Sequence, residues 1–219
     1  MVEKFSLDDL FMRIMPGGIF LGIIILIYYS TGNVKYVKEL DFLYLFMFFT
    51  ISYVIGEIIQ TIAHMLDRFI TPFYKFYMPS DIFLYKNNPV VEDKIRVENI
   101  IKECGLTEEE EVIINSIDYK NLSWFKDRKA MNEAKKISNR CFCKMYHNVY
   151  DSVQIFNRGY LFTRGMTCMF FIVSILLLIN NNFKLLLLSM IIFCLFLWRL
   201  RGTARTLVFK VVCGNLYKK

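Results

Sequence analysis

Histidine, tryptophan and proline are scarce in this chain. Only two histidines, His64 and His147, occur among 219 residues, with two tryptophans and four prolines. So few imidazoles leave no room for a histidine-rich metal centre. No HExxH, GxSxG, GxGxxG or Walker A pattern is present either. The sequence marks of a metallopeptidase, a serine hydrolase, a dinucleotide enzyme and a P-loop ATPase are therefore all missing. Six cysteines occur, and Cys141-x-Cys143 with His147 comes nearest to a ligand set. Zinc needs three or four thiolate or imidazole ligands converging tetrahedrally. On a helix Cys143 and His147 share a face, whereas Cys141 projects about 200° away from Cys143. No second pair completes the set, and no metal or other cofactor is expected.

What the chain has in excess is apolar surface. Hydrophobic residues make up 55% and aromatics 16%, against about 45–50% apolar in soluble domains. The excess is concentrated in four runs, at about 11–30, 41–66, 163–180 and 183–200. Each is long enough to cross a hydrocarbon core roughly 30 Å thick at about 1.5 Å per residue. The fold class this predicts is an all-α integral membrane protein with four transmembrane helices. Residues 1–68 form an N-terminal hairpin, 69–162 a small, mainly helical cytoplasmic domain, 163–200 a second hairpin and 201–219 a basic tail.

Basic residues set the expected topology. The two short links hold Lys35, Lys38 and Lys184, three of the 27 lysines and arginines. The flanks on the other side carry Arg13, Arg68, Arg158, Arg164, Arg199, Arg201 and Arg205. The positive-inside rule then places both termini in the cytoplasm of a multi-pass inner-membrane protein. Asp8 and Asp9 interrupt any basic leader, so no cleaved signal peptide is expected. Cysteines on the cytoplasmic side argue against a disulfide framework. The net charge of +7 is read as juxtamembrane charge that meets anionic lipid head groups. Direct nucleic-acid binding is not expected.

Within the second run lies a polar stripe. Tyr53, Glu57, Gln60 and His64 follow one another at steps of four, three and four, so they share one face of a helix. A charge in hydrocarbon costs on the order of 2.5–3.5 kcal/mol on insertion scales, and such groups face a bundle interior or a water-filled cavity. Glu57 and His64 are about 10 Å apart along a helix axis, too far for a direct acid–base pair. No catalytic residue is assigned. In the first run, Pro16-Gly17-Gly18 follows Arg13. Proline there frees the carbonyl of Met12, and two readings follow for Pro16, Gly17 and Gly18: a tight packing notch with an Arg13–Glu57 contact, which is favoured, or a helix break beside Glu57.

The central segment opens with an aromatic stretch punctuated by Pro72, Pro79 and Pro89, which rules out one continuous helix through it. Val91–Cys104 has amphipathic helical spacing, and Gly105 is a natural stop. Thr107 followed by Glu110 reads as a capping box opening a helix that runs through Ile117. Its run of glutamates would repel phosphate, so this element is not a DNA reader. From Lys126 to Arg158 the sequence reads as one helix feeding the third span. The tail from Arg199 either extends the fourth helix or lies along the inner membrane face.

The arginine and Pro-Gly opening the first span, Gly56-Glu57-Ile58-Ile59-Gln60 in the second, and Phe156-Asn157-Arg158-Gly159 before the third carry a resemblance. In these patches and in span layout the chain resembles small bacterial membrane proteins of antiphage defence loci. Examples are the membrane subunit of Kiwa-type systems and the transmembrane effectors of nucleotide-signalling defence. The resemblance implies a non-enzymatic homo-oligomer of the inner membrane, in contact with membrane lipid, that senses infection or perturbs the membrane together with a cytoplasmic protein partner. Two other readings stay open on the residues: a small ion channel or transporter with a Glu57-centred path, and a membrane enzyme using Glu57 and His64 on lipid.

Overall fold

The computed structural model describes residues 7–30, 42–74, 84, 101–116 and 128–216. Among them all regular structure is helical, with no strand. The helices are α1 (Leu7–Ser30), α2 (Phe42–Tyr74), α3 (Glu108–Asn115), α4 (Arg128–Asn148), α5 (Tyr150–Ile179) and α6 (Phe183–Leu216). Four of them contain segments long and apolar enough to cross a membrane: Leu10–Ile27, Tyr44–Leu66, Tyr150–Ile179 and Phe183–Asn215. The link carrying Lys35 and Lys38, the prolines at 79 and 89, the predicted helix over 91–100 and the side chain of Arg68 lie outside the described residues.

The chain divides into two compact units. The first comprises Met1–Asp67 and Arg158–Leu200. Its core is built from Ile59 and Ala63 of α2 and Met166, Met169, Val173 and Leu177 of α5, with Phe20 and Ile23 of α1 and Phe193 and Phe196 of α6 against them. The apolar window of α5 is 56% buried, against 17% or less for the other three, so α5 supplies the middle of the packing. Phe46, Ile58, Leu187 and Trp198 face outward, as suits contact with lipid.

Two glycines let α1 and α2 meet backbone to backbone. A Cβ on Gly17 would overlap the carbonyl oxygen of Ser52, and one on Gly56 would overlap that of Arg13. Small residues at such crossings are the usual route to helix association in lipid, where the hydrophobic effect gives no drive. The helix break is the reading at Pro16 that the structure does not take: α1 runs unbroken from Leu7 to Ser30 with Pro16 inside it. Proline costs that helix one hydrogen bond, and the close packing of Gly17 on α2 holds the turn in register. Pro16-Gly17 is a packing notch.

The turn between α5 and α6 follows from three asparagines. Asn181 takes the left-handed conformation at φ 54°, which asparagine tolerates better than most residues. The Asn182 amide then donates to the Leu177 carbonyl at 3.0 Å, closing α5. Asn182 Oδ1 accepts from the Leu185 amide at 3.4 Å and opens α6. Across this hairpin the Ser174 and Ser189 hydroxyls bond at 2.9 Å and Phe170 stacks on Phe196 at 5.7 Å.

The second unit comprises Arg68–Asn157 and Arg201–Lys219. A helical turn at 101–104 stops at Gly105, whose φ of +66° favours glycine. Thr107 and Glu110 form the capping box in both directions, at 3.4 and 3.2 Å. Arg140 of α4 grips both oxygens of Glu110, at 3.0 and 2.8 Å. That guanidinium, with the Thr107 amide, holds the Glu110 carboxyl below the usual glutamate range. The stabilisation is therefore present near neutral pH and is lost as acid protonates Glu110 through its lowered folded value.

The expected single helix from Lys126 into the third span is divided at Val149. The Val149 amide donates to the Tyr146 carbonyl at 3.2 Å, and its own carbonyl accepts from the Ser152 and Val153 amides, starting α5 afresh. Val149 is 3% exposed and sits against Gly214 of α6. Asn215 donates to the Met145 carbonyl at 2.8 Å and bonds Asn148 at 3.3 Å. These contacts fix the chain where propensity alone would have continued the helix. Residues 201–216 extend α6, and Leu207, Val208, Val211 and Val212 are buried in this unit.

The α1–α2 crossing makes a direct prediction. Gly56→Val should destabilise the protein by about 3 kcal/mol or more, the upper end for overpacking, because the new atoms meet backbone. Gly22→Ala, where nothing lies within 4 Å, should be neutral or mildly stabilising. Melting midpoints of the full chain in detergent would separate the two.

Candidate functional site

The polar stripe of α2 splits between two partners. Tyr53 and Glu57 turn to α1, where the guanidinium of Arg13 meets the Glu57 carboxylate at 2.5 Å. Arg13 Nη1 also donates to the Tyr53 hydroxyl at 2.8 Å, with its carbon 5.8 Å from the ring centroid. The Tyr53 hydroxyl donates to Glu57 Oε1 at 3.5 Å. Arg13 lies one turn before Gly17, and Tyr53 and Glu57 immediately follow Ser52 and Gly56. The glycine contact thus brings the three polar groups together.

Gln60 turns the other way. Its Nε2 donates to the Leu161 carbonyl of α5 at 3.1 Å. The donor side of the amide is thereby fixed, and Oε1 is buried without a hydrogen-bond partner among the described residues. Gly165 leaves the space this side chain occupies, since a Cβ there would overlap Gln60 Nε2. Gln60 therefore ties α2 to α5, as Glu57 ties it to α1.

A cavity of about 370 Å³ lies beside these contacts, lined by Met12, Arg13, Glu57, Gln60, Thr61, His64, Met65, Leu161 and Arg164. It gathers Glu57, Gln60 and His64 of the stripe, while Tyr53 reaches it only through Arg13 and Glu57. Two arginines and one carboxylate stand on its wall. Arg164 is held over the Tyr160 ring at 5.8 Å. Of the other basic flank, Arg199 and Arg201 are exposed, and Arg158 and Arg205 half-buried; none of these four lines the cavity. The stripe and the Arg13–Glu57 contact were readable from spacing. Arg164 was read only as a flanking basic residue, and the parts of Leu161 and Gly165 were not readable, because they depend on Gln60 of a distant helix.

Among the described residues no group of three or more His, Cys, Asp or Glu is placed to hold a metal ion. Cys143 is exposed and Cys141 buried, so the Cys141-x-Cys143 pair diverges as its helical spacing requires.

Comparison with models of known protein families, with curated proteins and with solved structures finds no match to this chain. The site is therefore read on its own chemistry. That chemistry supports ionic and hydrogen-bonded coupling of helices beside a polar cavity.

Gln60→Leu should cost about 0.6 kcal/mol, and at most about 1.7, the range for hydrogen bonds between membrane helices. Gly165→Ala should cost more, because its Cβ pushes the Gln60 amide off Leu161 and leaves a polar side chain without that partner, where Gln60→Leu leaves an apolar one. Melting midpoints of the two variants test that order.

Proposed function

We propose that the chain is a non-enzymatic component of a bacterial inner membrane that senses and perturbs lipid as a homo-oligomer, working with a cytoplasmic protein partner. The observation that carries this reading is the Arg13–Glu57 ion pair beside a cavity that Arg164 also lines. A carboxylate already matched by arginine and tyrosine is suited to holding a defined helix arrangement beside a polar cavity. In this reading both termini are cytoplasmic and the cavity opens near the inner leaflet. The second unit, with α3 and α4, is the partner-facing part. The setting in a defence or stress system rests on the sequence resemblance alone.

A small ion channel is the second reading, favoured by the way Glu57, Gln60 and His64 line one cavity. Both readings are tested in vesicles of phosphatidylethanolamine and phosphatidylglycerol, loaded with either a self-quenching dye or a pH reporter. Wild-type protein should release dye, and Glu57→Gln at equal incorporation should fall towards the protein-free rate. Proton flux without dye release would favour the channel. Vesicles that stay tight to both with wild-type protein would overturn the membrane-perturbing reading.

A further inference from the structure

The cavity beside the Arg13–Glu57 pair has acceptors on its wall that the protein does not supply with donors. Arg13 and the Tyr53 hydroxyl both engage Oε1 of Glu57. Oε2 has no partner among the described residues, and the Glu57 side chain is 40% exposed. A carboxylate has room for about four hydrogen bonds. One turn further along α2, Gln60 spends its amide nitrogen on the Leu161 carbonyl, and its Oε1 is buried with no donor among the described residues. Orphaned buried acceptors of this kind are rare in folded proteins. Both residues line the cavity, so together they call for an occupant with N–H or O–H donors.

The position of the cavity narrows the class of occupant. Met12 and Arg13 lie in the first turn of the Leu10–Ile27 segment, and His64 and Met65 in the last turn of the Tyr44–Leu66 segment. Leu161 and Arg164 flank the start of the apolar run 163–180. The cavity is therefore at one end of three spans, the level at which lipid head groups begin. It also opens onto the outward face of α2. Thr61 and Met65 line it and are themselves exposed, and exposed Val54 and Ile58 continue that apolar face. An occupant entering from this face joins an apolar body to a polar head. Arg13 and Arg164 stand on the same wall, so a bare cation meets like charge there, whereas a zwitterion carries its own phosphate.

We infer that the cavity is the head-group site of a phospholipid bearing a primary ammonium, such as phosphatidylethanolamine, whose N–H groups donate to Glu57 Oε2 and Gln60 Oε1. An ammonium has three donors and no acceptor. The two acceptors it meets are about 4.5 Å apart along the helix axis. A choline head group keeps the same phosphate and the same positive charge but has no N–H, so hydrogen bonding and not charge separates the two lipids. The acyl chains lie against the face of Val54, Ile58 and Met65. The inference rests on the lipid-contacting part of the function proposed above, and needs neither membrane perturbation nor assembly nor a protein partner.

The test uses the full chain, delipidated in detergent, with bound lipid counted by native mass spectrometry. Phosphatidylethanolamine, its N-methyl and N,N-dimethyl forms and phosphatidylcholine, all with identical acyl chains, offer a head group of decreasing N–H content. Wild-type affinity should fall along that series, with the first lipid bound about tenfold more tightly than the last, the scale of a charge-assisted hydrogen bond. Glycerophosphoethanolamine, the same head group without acyl chains, should not displace the lipid at equal concentration. Displacement would assign the site to a free head-group compound and overturn the lipid assignment. In Gln60→Leu the preference should shrink. Equal binding of all four lipids to wild type would overturn the proposal and leave the cavity to water. A preference unchanged in both Gln60→Leu and Glu57→Gln would overturn it as well, by placing the selectivity elsewhere on the lipid-facing surface. The methylation series is read on wild type and decides even if a variant folds poorly. Dye release from vesicles of the same lipids keeps the two readings apart. Leakage without the preference defeats the head-group site alone, and the preference without leakage supports the site while defeating the membrane-perturbing reading.

Discussion

The backbone contact between α1 and α2 is the constraint on which the rest of the first unit depends. Gly17 meets Ser52 and Gly56 meets Arg13 with no room for a side chain at either glycine. In lipid this closeness must come from packing and polar bonds, because apolar side chains gain nothing by leaving one hydrocarbon for another. Once the glycines set the separation, Arg13 falls within reach of Tyr53 and Glu57. A carboxylate that would be costly alone in the bilayer is then matched. The same helix turns its next polar residue, Gln60, onto α5. One stripe thus fastens α2 to two neighbours and leaves a polar cavity beside the fastening.

The second unit is held by different means. Glu110 caps its own helix and at the same time binds Arg140, so one residue sets both the start of α3 and its tie to α4. Asn215 satisfies the Met145 and Val211 carbonyls from within a buried valine-rich face. Lys210 lies over the Phe156 ring at 5.3 Å, which gives a basic residue of the α6 extension a packing role beside its charge. Residues 201–216 are therefore part of a folded unit through their aliphatic face, even though their charge alone reads as a tail.

Much of this was legible in the sequence because it is local. Four apolar runs, the Thr107–Glu110 capping box, the Gly105 stop and the stripe at helical spacing each lie within a few turns of chain. The Arg13–Glu57 contact was legible as the favoured reading, since depth in a membrane can be counted from both ends of a hairpin. What was not legible depends on partners far apart in the chain. Gln60 and Leu161 are separated by 101 residues, and no local pattern announces a backbone carbonyl as a partner. Pro16 suggested a break because proline weakens an isolated helix, but α1 runs through it where Gly17 packs on α2. Val149 interrupts a strongly helical sequence for the reverse reason, since its contact with Gly214 fixes the backbone there.

The central claim is that Arg13 and Glu57 are direct partners, brought together by the glycine contact. Charge exchange tests it most directly. Arg13→Glu, Glu57→Arg and the double exchange would be compared for monodisperse yield and melting midpoint of the full chain in lipid nanodiscs. Each single change places two like charges side by side and should lower both measures strongly. The double exchange should restore most of the loss, because the pair is re-formed with its sign reversed. A double variant as impaired as the two single losses added together would contradict the account, and would show that the two residues contribute separately.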